Sequence, residues 1–325
     1  MRNVKQLLLL AVLVVGSAIY IWPQEKPVTR LVGRYTLLSN PWVNLHQRLM
    51  YAARFEPAAP AVLNAEDLAK WNAAVDAYKV FMGKRHPIFD EELIGINDDL
   101  SAATTLKLPK TIPPAAAKAL ESVMPLYRQN QWPEDDRINR FCMSIAEPLL
   151  ASAAEELADA TAKAYGVAFP THIRVDFVSH GWQFGAYTVG SGDTAHVVLQ
   201  STDPANQGFR VLEALIHEPS HAMVGDGTKD VIGSDLARIS KDLDVRPMAN
   251  LWHAILFYTA GELTRQALAH RGVPDYKPII TLFYAGPFRG YQASLEKHWQ
   301  SYLDGKITRD AALREILLET SPAKK

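Results

Sequence analysis

The sequence predicts an α+β protein, predominantly helical, with a small sheet followed by a helix that carries the chemistry. Three observations carry that expectation. Apolar residues recur at helical spacing over most of the chain. From Ile173 to Phe177 the pattern changes to strict alternation, and after Asp203 it returns to the helical period. Helices, a short run of strands, and helices again describe a mixed architecture rather than a repeating βαβ chain. With 325 residues the chain can bury a sizeable core, in one large domain or two modest ones.

The elements follow in order. Arg2 and Lys5 precede an apolar run from Leu7 to Val15, then Gly16-Ser17-Ala18 and Ile19 to Trp22. A basic start, an apolar stretch and small residues describe a secretory signal cleaved after Ala18, or an uncleaved anchor that just spans a bilayer. Residues 1–22 are therefore expected to be a signal peptide or membrane anchor, and the rest to lie outside the cytoplasm, periplasmic or extracellular.

After Pro23 the pattern reads as helix. Asn64 with Asp67 marks the start of a helix through Trp71, Val75, Tyr78 and Met82, ending near Gly83. The proline-bearing stretches Glu56–Pro60 and Leu108–Pro114 read as surface connections. A long amphipathic helix is expected over Asp135 to Tyr165, bent at Pro148. Residues 23–165 form the expected helical N-terminal region, and residues 166–325 the second region, with the two free to share one core.

In the second region Ile173, Val175 and Phe177 alternate with Arg174 and Asp176, the period of a half-buried strand. Ala186–Val189 and His196–Gln200 are two further short strands between glycine-bearing turns. Asp203-Pro204 reads as a helix start, with proline at the first helical position. The helix that follows places Val211, Leu212, Leu215 and Ile216 on its apolar side.

Charge and cysteine usage exclude several classes. Lys and Arg number 34 against 35 Asp and Glu, scattered rather than clustered, so no surface offers counterion release to a nucleic acid. The single cysteine, Cys142, sits in an apolar helical stretch. It excludes an internal disulfide and a cysteine-based structural metal site, and it reads as a small buried hydrophobe.

The chemistry stands on the helix after the strands, at His217-Glu218-Pro219-Ser220-His221. Histidines at i and i+4 project from one face, a turn apart. Their imidazoles can take two positions around one tetrahedral metal ion, with Glu218 beside the first to accept a proton from water. Pro219 interrupts this pattern. It removes the hydrogen bond to the carbonyl of Leu215, at a cost of about 3 kcal/mol in an ordinary helix. A local kink that keeps the histidines on a common face is the expected outcome.

In motif and context this region resembles the zincin metallopeptidases, in which the active-site helix follows an edge strand that holds the substrate. The resemblance covers roughly residues 171 to 270. It implies a zincin-like catalytic region over 166–325, Zn2+ on His217 and His221, Glu218 as general base, and a peptide or protein substrate. A strand near His196–Gln200 would hold that substrate by backbone hydrogen bonds. The extended pattern with Gly and a third His is absent, since Val224 and Gly227 occupy those places.

A catalytic zinc site needs a third protein ligand. The apolar stretch Asn250 to Leu263 carries few ionisable groups, namely His253, Tyr258 and Glu262. Glu262 is the chosen ligand, by similarity to zincin branches that take a glutamate from a later helix. Its alternative role is an ion pair with Arg265 or Arg246. His253 is the runner-up, and half a turn of phase keeps the two from sharing one metal. The aspartates at 226, 230, 235, 242 and 244 are further alternatives. Gly261 would let this helix approach the first one closely.

Glu213, one turn before His217, is a candidate to orient a ligand imidazole, or a plain surface charge. Tyr258 is a candidate oxyanion donor, or core packing. Tyr284, Tyr291 and His298 lie downstream, and His180 and Trp182 sit between strands as candidates to line the cleft. The function implied is a zinc-dependent hydrolase, a metallopeptidase. The alternative is a catalytically inactive zincin-fold binding protein tethered to the membrane.

Overall fold

The computed structural model describes residues 27–55, 63–182, 185–190, 193–224, 231–246 and 249–321. The expected signal or anchor at 1–22 and the connection Glu56–Pro60 lie outside them. Among the described residues, no helix is long and apolar enough to cross a membrane.

The described residues open on a hairpin, within the stretch expected to be helical. β1 (Val28–Val32) turns through Gly33-Arg34 into antiparallel β2 (Tyr35–Ser39). Gly33 has φ +54°, which glycine adopts without a Cβ penalty. Four helices follow: α1 (Pro41–Arg54), α2 (Ala65–Met82), α3 (Glu91–Ala102) and α4 (Pro114–Asn130). α2 has the expected limits. The Asn64 side chain accepts the Asp67 amide hydrogen, and Gly83 closes the helix. α5 (Trp132–Tyr165) runs through Pro148 and ends on left-handed Gly166.

β3 (His172–Val178), β4 (Ala186–Val189) and β5 (Thr194–Gln200) complete a five-stranded sheet of order β1-β2-β3-β5-β4. β2, β3 and β5 are parallel, while the two edge strands run antiparallel to their neighbours. The strands on either side of residue 166 thus form one sheet, and the two regions of the chain share it.

Helices cover both faces. Tyr35, Leu37, Ile173, Val175, Phe177 and Val197 pack against α5 and the helices that follow the sheet. Val178, Tyr187 and Val198 pack against α1 to α4. β3 is therefore not half-buried as its alternation suggests. Asp176 is fully buried and shares a short hydrogen bond of 2.6 Å with the His196 ring.

The helix expected at Asp203-Pro204 is only a 3-10 turn, Pro204–Asn206, capped by the Asp203 carboxylate. Gly208, at φ +59°, breaks the path, and α6 (Arg210–Ser220) starts beyond it. α7 (Val231–Asp242) and α8 (Leu251–His270) follow. Short α9 (Gln292–Ser294), a π-helical turn Leu295–Trp299 and α10 (Gln300–Leu303) lead to α11 (Arg309–Thr320). α6 packs against α5, α8 and the edge strand β4. This predominantly helical α+β fold places the motif helix at one end of the sheet order.

Candidate metal centre

α6 is buried over nearly its whole length, with His217 at 2 % exposure. Val211, Leu212, Leu215 and Ile216 anchor it in the core, as its period requires. The α-helix ends at Ser220, directly after Pro219. The next turn closes by shorter bonds, from His221 N–H to the Glu218 carbonyl and from Ala222 N–H to the Pro219 carbonyl, both 3.1 Å. The turn keeps His221 beside His217, with ring centroids 5.0 Å apart.

α8 supplies the third imidazole. His253 lies 5.3 Å from His217 and 5.1 Å from His221 between ring centroids, so the rings form a nearly equilateral triangle. One nitrogen from each of the three rings falls within 4.8 Å of the others. His217 Nε2 and His253 Nε2 are 3.4 Å apart. That matches the edge of about 3.3 Å expected for two nitrogens bound at about 2.0–2.1 Å on a tetrahedral ion.

Aromatic rings set the imidazoles. Phe257 stacks on His217 at 3.8 Å, and Trp252 stacks on His253 at 4.9 Å and meets His221 edge-on. Phe288 closes the layer behind His253 and Phe257. Burial, and the neighbouring histidines, hold His217 well below the ordinary imidazole range. Burial, with His253 beside it, lowers His221 to about 3, and burial lowers His253 to about 4. All three are neutral at pH 7, the form that binds a metal. His217 Nδ1 has no hydrogen-bond partner among the described residues, so stacking orients this ring.

Glu218 is 7 % exposed and faces β4, where the Thr188 hydroxyl donates to Oε2 at 2.7 Å. Burial pushes its carboxyl up to about 7, against the opposing pull of that hydrogen bond.

The structure does not bring Glu262 to this centre. Nine residues beyond His253, it points off the other side of α8. Its oxygens accept two hydrogen bonds from Arg265 at 2.7 Å and one from Gln266 at 2.8 Å. Tyr258 shares that side and donates to Gln300 at 2.9 Å, away from the histidines. Both line a cavity of about 250 Å³ with Tyr284 and Glu296.

Glu213 does not orient a histidine either. Its carboxyl turns to the Tyr276 hydroxyl at 2.6 Å and the Ile279 amide at 3.0 Å. Asp235 and Asp242 pair with Arg309 and Arg314, while positions 226 and 230 lie outside the described residues. Tyr291 donates to the Ala249 carbonyl, His298 bonds Glu319, His180 meets Arg48, and Trp182 donates to His86.

One expectation about the substrate strand also changes. β5 is paired on both sides, by β3 and β4, so its backbone groups are already used. Among the described residues, the edge strand beside α6 is β4, paired on one side only, with β5. Neither Thr188 nor the aromatic layer was singled out from sequence, because a side chain on a four-residue strand announces no partner. A separate cavity of about 610 Å³ lies at the start of β2, β3 and β5, lined by Arg34, Asp98, Arg174 and His196, and does not include the histidine triangle.

Comparison of the chain with family models, with curated proteins and with solved structures gave no match.

Proposed function

We propose that the protein is a zinc-dependent hydrolase, a metallopeptidase, with Zn2+ held by His217, His221 and His253. One observation carries the reading. Three imidazoles, from α6, the turn that follows it and α8, offer one nitrogen each within 4.8 Å of one another, and Glu218 follows the first in sequence. Three histidines leave a fourth tetrahedral position open, as a catalytic site requires. The resemblance of the motif to zincins supports the same assignment, with His253 in place of a glutamate.

Bound there, Zn2+ would supply Lewis-acid activation of water and of the scissile carbonyl. Glu218 takes a proton from the attacking water and returns it to the leaving amine. Thr188 fixes the carboxylate for that transfer. The edge of β4 away from β5, unpaired among the described residues, offers amide and carbonyl groups to an extended peptide. Phe257, Trp252 and Phe288 exclude water around the ligand rings. The basic and apolar start of the sequence fits work outside the cytoplasm, on peptide or protein substrates.

The second reading is an inactive, membrane-tethered binding protein of zincin type. The tightened turn after Pro219 favours it, because it sits between the two motif histidines.

Metal analysis of the purified full chain, with hydrolysis of a mixed peptide library, tests these readings. The enzyme reading expects one zinc per chain, lost in His253→Ala and kept in Glu262→Gln. Glu218→Gln should keep zinc and lose about 10²- to 10⁴-fold in turnover. Zinc without hydrolysis in the unaltered protein favours the binding reading. A stably folded chain that takes up no zinc removes the enzyme reading and likewise favours the binding protein.

A further inference from the structure

Pro219 has no amide hydrogen, so the carbonyl of Leu215 loses its helical partner. Leu215 is fully buried, and an unsatisfied carbonyl there would cost roughly what a lost hydrogen bond does. The carbonyl is not orphaned. The Tyr35 hydroxyl donates to it at 2.8 Å. Tyr35 comes from β2, 180 residues earlier in the chain, and is itself fully buried. Burial raises its phenol pKa far above the ordinary range, so the group stays a donor. Its main chain is fixed in register between Val32 and Ile173.

The place of this bond matters. Leu215 is two residues before His217, and Pro219 lies between His217 and His221. A proline inside the motif loosens the ladder at the point where both imidazoles must keep a common face. Beyond it the backbone closes by the short bonds of a tighter turn. The Ser220 hydroxyl also bonds back to the Ile216 carbonyl at 2.7 Å.

We infer that Tyr35 is a positioning residue of the metal centre. Its hydroxyl replaces the hydrogen bond that Pro219 removes, and so holds the segment bearing His217 in register with His221. The inference rests on the zinc reading for its functional half. The hydrogen-bond replacement stands apart from it. The sheet then grips the interrupted helix through one side chain, where an uninterrupted helix would hold itself.

Four full-length proteins test this: the unaltered chain, Tyr35→Phe, Pro219→Ala and the double variant. In each, zinc affinity is read by competition with a chelating dye, and unfolding by denaturant. Tyr35→Phe is expected to weaken zinc binding by about tenfold, the lower end for loss of an outer-shell partner. In the Pro219→Ala background, the alanine amide can reach the Leu215 carbonyl. There the same Tyr35 change should alter affinity less than about threefold, and unfolding should show non-additive coupling between positions 35 and 219. Equal losses of affinity in both backgrounds, or none in either, would overturn the positioning role. Strictly additive unfolding would overturn the hydrogen-bond replacement. If the unaltered chain binds no zinc, the metal reading and the positioning role fall together, and the unfolding cycle alone decides whether Tyr35 stands in for the missing amide.

Discussion

Gly261 shows how little room separates the two helices that carry the histidines. A Cβ built there would lie 2.7 Å from Pro278 Cβ and 3.0 Å from Glu213 Oε1. Glu213 is held by Tyr276 and the Ile279 amide, and Pro278 Cβ belongs to a closed ring that cannot swing aside, so the contact cannot relax cheaply. Gly261→Ala should destabilise the protein by about 1–3 kcal/mol, the range for an overpacked core, and a shift in the denaturant midpoint reads it. An unchanged midpoint would mean that α8 can retreat from α6. The sequence suggested this close approach and named His217, Glu218, His221 and His253. It misjudged which group on α8 turns inward. Glu262 looked like the costly buried charge that a metal would offset, but Arg265 one turn later neutralises it more simply. Periodicity already separated His253 from Glu262 by half a turn. Choosing between them needed the direction of α8 relative to α6, which no local pattern encodes.

At the scale of elements, α3 is tied to the sheet by a chain of charge. His196 on β5 bonds Asp176 on β3 at 2.6 Å and Asp98 on α3 at 2.6 Å. Burial opposes the imidazolium, but the hydrogen bonds to Asp176 and Asp98 outweigh it and raise His196 to about 9. A folded pKa above the unfolded value means that the folded state holds the proton more tightly. The stabilisation is complete below pH of about 6.5 and is lost as pH rises through about 9. It amounts to about 2 kcal/mol, discounted for the exposed Asp98. Unfolding free energy measured from pH 6 to 9.5 should fall across that window, and His196→Gln should flatten the profile. A flat profile in the unaltered protein would contradict the bridge.

The same elements show why part of the fold was legible and part was not. α2 was readable to its ends because its cap, Asn64, and its stop, Gly83, are local signals. The β1–β2 hairpin was missed although Gly33-Arg34 lies between runs rich in Val, Thr and Leu, a pattern that marks a tight turn. β3 was recognised but its burial was not, because a second layer of helices covers the face that bears Asp176.

For the whole molecule, one sheet separates two apolar clusters, and the 34-residue α5 joins the second at Trp132 and the first from Cys142 to Tyr165. β1, β2 and α5 precede residue 166, yet β1, β2 and most of α5 pack in the same cluster as α6. A chain of residues 166–325 alone would expose one edge of β3 and the face of α6 that meets α5. It should fail to give a cooperative unfolding transition by circular dichroism, whereas the full chain should give one. A cooperatively folded fragment would mean that the sheet halves are independent. Along the seam between α5 and the turn before α6, Cys142 is 5 % exposed, with Sγ 3.7 Å from the Asn206 carbonyl. It is the chain's single thiol, and burial raises its pKa to about 12. An alkylating reagent therefore meets a reactive sulfur only while that seam stands open. The protein thus carries its own stopwatch for the breathing of the helix pair beneath the histidines, and any ion that tightens the centre should slow it.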